Sequence, residues 1–256
     1  MTQYQDLKDE RVIITGGAMG IGRGAALAFA KQGAKVVIID QAADAIADTL
    51  EEAAHHPGHV SGVQADLRQR PASDAAMQEA ITRLGGVDIA VNNAGVTQPP
   101  APLHEQNDDL YDYVMDLNVK AVWRDMRIQL RDMLPRGDGA IINIASVAGL
   151  KGTPGLATYG TSKYALIGLT KSAALDYAKS GVRINAVAPG SVLTPMIDKF
   201  IEMSGNQDAI EQIRAAHPIG RSGEVDEVVN AILFLASPST TFVIGETITV
   251  DGGYAA

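Results

Sequence analysis

Short apolar runs rich in Val and Ile alternate along the whole chain with longer Ala-rich stretches, and this alternation constrains the fold more than any other feature. The pattern predicts strands at Val12–Thr15, Lys35–Asp40, Val60–Asp66, Val87–Asn92, Ala140–Ser146, Arg183–Ala188 and Thr247–Val250. They are apolar on both faces, as strands covered on two sides must be. Stretches such as Gly22–Gln32 and Ala157–Lys179 read as helices, with Gly33 and Gly181 as left-handed stops after them. Strands alternating with helices predict a doubly wound α/β fold, a seven-stranded parallel sheet flanked by helices on both faces. Right-handed crossovers gather the C-terminal strand ends, and with them the ligand crevice, along one edge. No polar linker and no internal repeat divides the 256 residues, which read as a single domain, 1–256. The least regular part, Ser191–Pro218, reads as an excursion above that edge, a place where lids sit.

The first strand runs through Thr15-Gly16-Gly17-Ala18-Met19-Gly20-Ile21-Gly22 directly into a helix. Glycine is wanted there because a Cβ would block the approach of a pyrophosphate to the backbone. The first helical N–H groups and the helix dipole then meet the negative charge. A glycine-rich string alone fits a flexible turn equally well; its place between a strand and a helix near the N-terminus favours dinucleotide binding. The second strand ends in Asp40, which can accept hydrogen bonds from ribose hydroxyls and repels a 2′-phosphate. Gln41 and Ala42 follow it, and Met19 in the loop is not basic either, so NAD is expected over NADP.

Composition excludes several classes. A formal net charge of -9 opposes both nucleic acid and an anionic membrane surface. The chain has no cysteine, so disulfides, thiolate metal sites and cysteine nucleophiles are out of reach. His55, His56 and His59 lie near Pro57 and Gly58 without a carboxylate set for a metal, and read as a solvated turn. A polar N-terminus and the lack of a long apolar run lead us to expect a cytoplasmic protein.

These motifs resemble the short-chain dehydrogenase/reductase family. TGGAMGIG resembles its TGxxxGxG loop, and Asn92-Asn93-Ala94-Gly95 its NNAG turn. Ser146 followed by Tyr159-Gly160-Thr161-Ser162-Lys163 resembles its Ser and YxxxK group, and Asn185 through Pro189-Gly190 its N-x-V-x-PG segment. The matches run in order over residues 11–253, with no departure at a catalytic position. The resemblance implies a Rossmann-like fold and an oxidoreductase. By position it implies cofactor contacts from Gly16, Met19, Gly20, Ile21, Gly22 and Asp40, and from Asp66 and Leu67 at the adenine. It adds Asn93, Ala94 and Gly95 on the adenosine side, and Pro189, Gly190, Val192 and Thr194 at the nicotinamide. It makes Asn118 the fourth catalytic residue beside Ser146, Tyr159 and Lys163, holding a water that relays protons to the lysine. It also implies a homotetramer built on helices around residues 107–133 and 157–179 and on the C-terminal strand.

The chemistry follows from the residue types. Tyr159 and Lys163 are four apart in a helical stretch and share a face. A phenol of ordinary pKa, about 10, is a poor base at neutral pH, and a neighbouring ammonium is expected to lower it. Tyr159 would take or give the hydroxyl proton while hydride moves, and Ser146 would orient the substrate oxygen. Taken alone, a Tyr/Lys pair at this spacing is ordinary surface packing, and a Ser at a strand end is usually a cap. Gln98, Val147 and Thr153, near motif residues, together with Met196 and Ile197 in the excursion, are expected to line a substrate pocket. No charge in these stretches announces a carboxylate or phosphate, which points to a neutral secondary alcohol or ketone. The alternatives are an NADPH-dependent 3-oxoacyl carrier-protein reductase and a non-catalytic NAD-binding sensor.

Overall fold

The computed structural model describes residues 4–206 and 208–256. Seven strands form one sheet: β1 (Arg11–Thr15), β2 (Lys35–Asp40), β3 (His59–Gln64), β4 (Ile89–Asn92), β5 (Gly139–Ile144), β6 (Val182–Pro189) and β7 (Thr247–Val250). Their spatial order is β3-β2-β1-β4-β5-β6-β7, and every pairing is parallel. Chain order reverses between β1 and β4, so the crevice outside their C-terminal ends is the switch point at which ligands bind in such sheets.

The helices are α1 (Gly20–Lys31), α2 (Ala43–Ala53), α3 (Arg70–Leu84), α4 (Asp108–Met115), α5 (Val122–Met133), α6 (Ala157–Tyr177), α7 (Pro195–Ser204), α8 (Ala209–Ala216) and α9 (Val225–Ala236). The period-two pleat divides the strand side chains between two cores. Val12, Ile14, Val36 and Ile38 pack with α1, α2 and α9, while Ile13, Val37 and Ile39 pack with α3, α5 and α6. Central β5 and β6 are buried at every position, whereas edge strands β3 and β7 are partly open, as their Ser, Gln and Thr content allows. Each fully buried Val or Ile contributes roughly 1.5–3 kcal/mol, which is why the unbroken apolar runs dictate the sheet.

Two local departures from the sequence reading bear on the site. Strands β3 and β5 end at Gln64 and Ile144, so Asp66 and Ser146 lie in the turns beyond them. The expected helix over 107–133 is interrupted by a π-helical turn at Asp116–Ala121, which separates α4 from α5 and carries Asn118. Such turns cluster at functional sites. The segment from 191 to 218 holds α7 and α8 rather than irregular chain.

Candidate active site

The cofactor side is built by turns that lock onto one another. Gly16 and Gly20 have φ of 63° and 52°, a left-handed backbone that glycine adopts without a Cβ clash. A Cβ on Gly22 would fall 2.0 Å from the Gly16 carbonyl, so the loop folds back on α1 only with glycine there. Asn93 Nδ2 donates to the carbonyls of Thr15 and Gly16, at 3.1 and 2.9 Å, and Thr15 Oγ1 accepts from the amides of Asn93 and Ala94. The NNAG turn thus fixes the glycine loop. Helix α1 begins at Met19 without a capping side-chain bond and without an acidic first turn. Elsewhere, α9 satisfies its first amides with the reciprocal Glu224/Glu227 capping box. An N-terminus left bare beside a cleft suits a phosphate.

Asp40 is buried, and both its oxygens accept backbone amides: Oδ2 from Ala18 and Oδ1 from Ala42, each at 3.1 Å. It therefore caps the turn and also faces the cleft, since a carboxylate has further lone pairs to offer. Asp66 is engaged by Arg68, at 3.0 Å from Nε and 2.7 Å from a terminal nitrogen, and the guanidinium holds its carboxyl below the usual range.

Ser146, Tyr159, Lys163 and Asn118 gather around the start of α6. Ser146 caps the 3-10 turn Val147–Gly149, accepting from Ala148 N at 3.2 Å. Burial raises the pKa of the Tyr159 hydroxyl, and a hydrogen bond with Ser146 opposes it. Lys163 is buried, its Nζ donates to the Ile144 carbonyl at 2.9 Å and lies 5.7 Å from the Tyr159 ring centre. Burial lowers Lys163 to about 8. The expected depression of the phenol by its ammonium neighbour is not what the structure gives: desolvation of the hydroxyl wins. The Asn118 side chain is held by the backbone of Val96 and by Ser162. Its Oδ1 accepts from Val96 N at 2.8 Å, and its Nδ2 donates to Val96 O at 2.9 Å and Ser162 Oγ at 3.0 Å. A Cβ on Gly95 would lie 3.2 Å from Asn118 Oδ1 and 3.7 Å from Lys163 Nζ, which brings the NNAG turn, the π-helical turn and α6 to one point.

A cavity of about 390 Å³ opens along this edge. Of the residues singled out from sequence, Gly16, Met19, Gly20, Ile21, Asp40, Asp66, Leu67, Asn93, Ala94, Gly95, Thr194 and Met196 line it. Gly22 and Val192 do not: Gly22 packs the loop, and Val192 is buried in the core and bridges to Gly223. Pro189 closes β6, and Gly190 is pressed against His217, whose Nε2 would lie 2.9 Å from an added Cβ. Two residues expected in the substrate pocket lie away from the cavity. Gln98 is fully buried with its amide used up in backbone contacts, and Val147 is buried in the turn after Ser146. Thr153 is half-buried, and neither it nor Ile197 lines the cavity.

Comparison with known proteins agrees with this architecture. A family model described as enoyl-(acyl carrier protein) reductase matches residues 16–255. A 3-oxoacyl-[acyl-carrier-protein] reductase of Thermotoga maritima is 35% identical over 96% of this chain and 98% of its own. The chain belongs to the short-chain dehydrogenase/reductase family. The cis-4-hydroxycyclohexanecarboxylate dehydrogenase of Sinomonas cyclohexanicum is 39% identical over 96% of this chain and 97% of its own, and the cyclohexanol dehydrogenase of an Acinetobacter strain 36% over 94% and 93%. The crystal structure of levodione reductase superposes with a TM-score of 0.92 at 30% identity, covering 97% of this chain and 98% of that one.

As a short-chain dehydrogenase/reductase the chain is an oxidoreductase of a family that binds a nicotinamide dinucleotide. The residues fit that group: a bare helix N-terminus, two left-handed glycines and an anchored acid at the second strand end. Several cavity residues escaped the sequence reading. Leu110, Tyr113 and Leu117, from α4 and the π-helical turn, line the apolar wall, and their helical spacing was the available signal. Lys199 of α7 also lines the cavity, a charge the sequence reading passed over. Among the described residues no helix is long and apolar enough to cross a membrane, and no group of three or more His, Cys, Asp or Glu could hold a metal.

Proposed function

We propose that this protein is an NAD-dependent dehydrogenase that interconverts a secondary alcohol and its ketone, with Tyr159 as the acid/base group. The observation that carries the reading is the meeting of half-buried Ser146 and Tyr159 with buried Lys163 next to Gly95, a residue that lines the cavity holding the glycine loop and Asp40. A bound nicotinamide would supply or accept the hydride. The protein's own residues handle the proton. In the reducing direction the Tyr159 hydroxyl gives its proton to the carbonyl oxygen, and the Ser146 hydroxyl donates a hydrogen bond to the same oxygen as charge grows on it. In the oxidising direction Tyr159 receives the alcohol proton. Lys163, held by the Ile144 carbonyl, places positive charge behind the phenol and would bond the ribose of a bound nicotinamide nucleotide.

The relatives named for cyclohexanol and for a hydroxycyclohexanecarboxylate favour a ring alcohol. The cavity wall of Leu110, Tyr113, Leu117, Met196 and Met203 suits an apolar ring. Pro189, Gly190 and Thr194 belong to the nicotinamide end, and Asp66 and Leu67 to the adenine end. The reading includes a homotetramer: Trp123 of α5 and Tyr164 and Leu175 of α6 are exposed, as is Phe242 before β7. Turnover of a panel of cyclic and acyclic secondary alcohols, read by NADH absorbance, tests it. Tyr159→Phe is expected to bind NADH as the parent does and to lose at least about 10²-fold in kcat; retention of most of the activity overturns the assignment.

A further inference from the structure

The start of α6 lacks a cap of its own. The residue before its first turn is Leu156, which offers no side-chain acceptor, and its φ of −116° and ψ of 38° are not the extended backbone of a capping residue. Counting from Leu156, the third helical residue is Tyr159, whose amide is the one a capping side chain normally satisfies. In this protein that amide donates to Gln98 Oε1, 61 residues away in sequence, at 2.7 Å. Gln98 is completely buried, and its Nε2 donates to the Gly155 carbonyl at 3.2 Å and the Pro99 carbonyl at 3.4 Å. The other end of the Tyr159 peptide is held as well. Its carbonyl accepts from Ser162 Oγ at 2.6 Å, Ser162 Oγ accepts from Asn118 Nδ2, and Asn118 brackets the backbone of Val96.

We infer that Gln98 is a positioning residue for Tyr159: it caps α6 from outside, and with the Val96–Asn118–Ser162 chain it clamps the tyrosine backbone at both its N–H and its C=O. The inference rests on Tyr159 being the acid/base group. The clamp has a functional logic. An uncapped first turn frays, and the first turn of α6 carries the reacting hydroxyl. The segment 93–98 that supplies the clamp also fixes the glycine loop through Asn93. One short stretch of chain therefore sets the cofactor cradle and the proton donor relative to each other, where a displacement on the order of 1 Å can cost about 10²-fold in rate.

Gln98→Met fills the same space without an acceptor, and Gln98→Glu, kept protonated by burial, retains an oxygen for the Tyr159 amide and a hydroxyl donor for the Gly155 carbonyl. For Gln98→Met, kcat with a secondary alcohol is expected to fall about 10- to 100-fold. Its NADH dissociation constant should stay within about twofold of the parent. The acid limb of its kcat–pH profile should move to higher pH as the Ser146 contact that holds the phenol down is weakened. Gln98→Glu should recover most of kcat and the parental profile. A parental kcat and profile in Gln98→Met overturns the inference. So does equal loss in both variants with an unmoved pH limb, which marks a role in packing alone. If Gln98→Met does not fold, Gln98→Glu decides: near-parental kcat supports the inference and a large loss overturns it. Tyr159→Phe runs alongside. An active Tyr159→Phe overturns the reading of the site itself, whereas an inactive one with an unaffected Gln98→Met overturns only the clamp.

Discussion

Replacing Asp40 with Asn should change two things by separable amounts. In the structure the Asp40 carboxylate is pinned by the Ala18 and Ala42 amides and faces the cavity, so it cannot swing away from whatever occupies the end of β2. A unit negative charge about 4 Å from that carboxylate is repelled by roughly 4 kcal/mol at an effective dielectric constant near 20. That figure alone corresponds to about 10²- to 10³-fold against NADP. Steady-state kcat/KM with NAD and NADP at a fixed alcohol concentration measures it. The parent should prefer NAD by about 10²-fold or more, and Asp40→Asn should bring the two within about tenfold. NAD itself should also be used less well, since each ribose hydroxyl bond to a charged acceptor is worth roughly 1.5–3 kcal/mol. The second effect is structural. Asn keeps one acceptor, and its NH₂ meets the other loop amide, so the variant should lose about 1–3 kcal/mol of stability, read as a lower urea midpoint. A parent that uses both cofactors equally refutes the electrostatic reasoning. So does a variant that weakens both cofactors in the same proportion, which would leave Asp40 only its turn-capping role.

Lys163, lowered to about 8 by burial, should lose its proton as pH rises through that region, and with it the positive charge behind the phenol, so the rates of alcohol oxidation and ketone reduction should both bend near pH 8. Initial rates in both directions from pH 6 to 10 check this, and a flat oxidation profile contradicts it. Asp125, buried between α3 and α5 with Ser73 Oγ 3.3 Å away, has its carboxyl pushed up from 3.8 to about 7 by burial. The unfolded chain loses that proton at lower pH than the folded one, so this group's stability is fully present below about 3.8 and is lost as pH rises through about 7. Asp125→Asn should therefore gain up to ~4 kcal/mol over the parent above pH 8 and about nothing near pH 4. Urea unfolding at both values tests it, and an equal difference at the two defeats the assignment.

The sheet was legible because each strand is an unbroken apolar run and each helix ends at a glycine or a polar turn. Strand ends were less so: Asp66 and Ser146 continue their strand patterns, yet backbone pairing stops two residues earlier. The π-helical turn left no mark in the sequence, since Asp116–Ala121 has the periodicity of a plain helix. The glycine loop was readable because glycine has few uses other than a left-handed turn or a close approach, and Gly16, Gly20 and Gly22 have one or the other. The pocket was not. Gln98 stands next to the NNAG turn and has a polar side chain, as a pocket residue would, but its partners are backbone atoms 57 and 61 residues away that no local pattern encodes. His217 stacks on Tyr254 and accepts from the Ser191 amide at 3.1 Å, which ties the end of the 191–218 segment to its start and to the chain after β7.

The Tyr159–Lys163 pair shows why a motif specifies less than a site. From spacing alone only the Coulomb attraction is visible, and it favours a phenolate beside an ammonium. Burial acts on both groups in the opposite sense: it raises the phenol and lowers the amine to about 8. At a separation near 6 Å and an effective dielectric of about 20, the attraction between a phenolate and an ammonium is roughly 3 kcal/mol, comparable to what burying one such ion costs. For the phenol burial wins, so a shift toward the phenolate has to come from what else enters the cleft. An added positive charge within a few ångströms of the phenol tips the balance by a similar few kcal/mol. Burial thus raises the Tyr159 hydroxyl where the Tyr-Lys spacing alone would have lowered it.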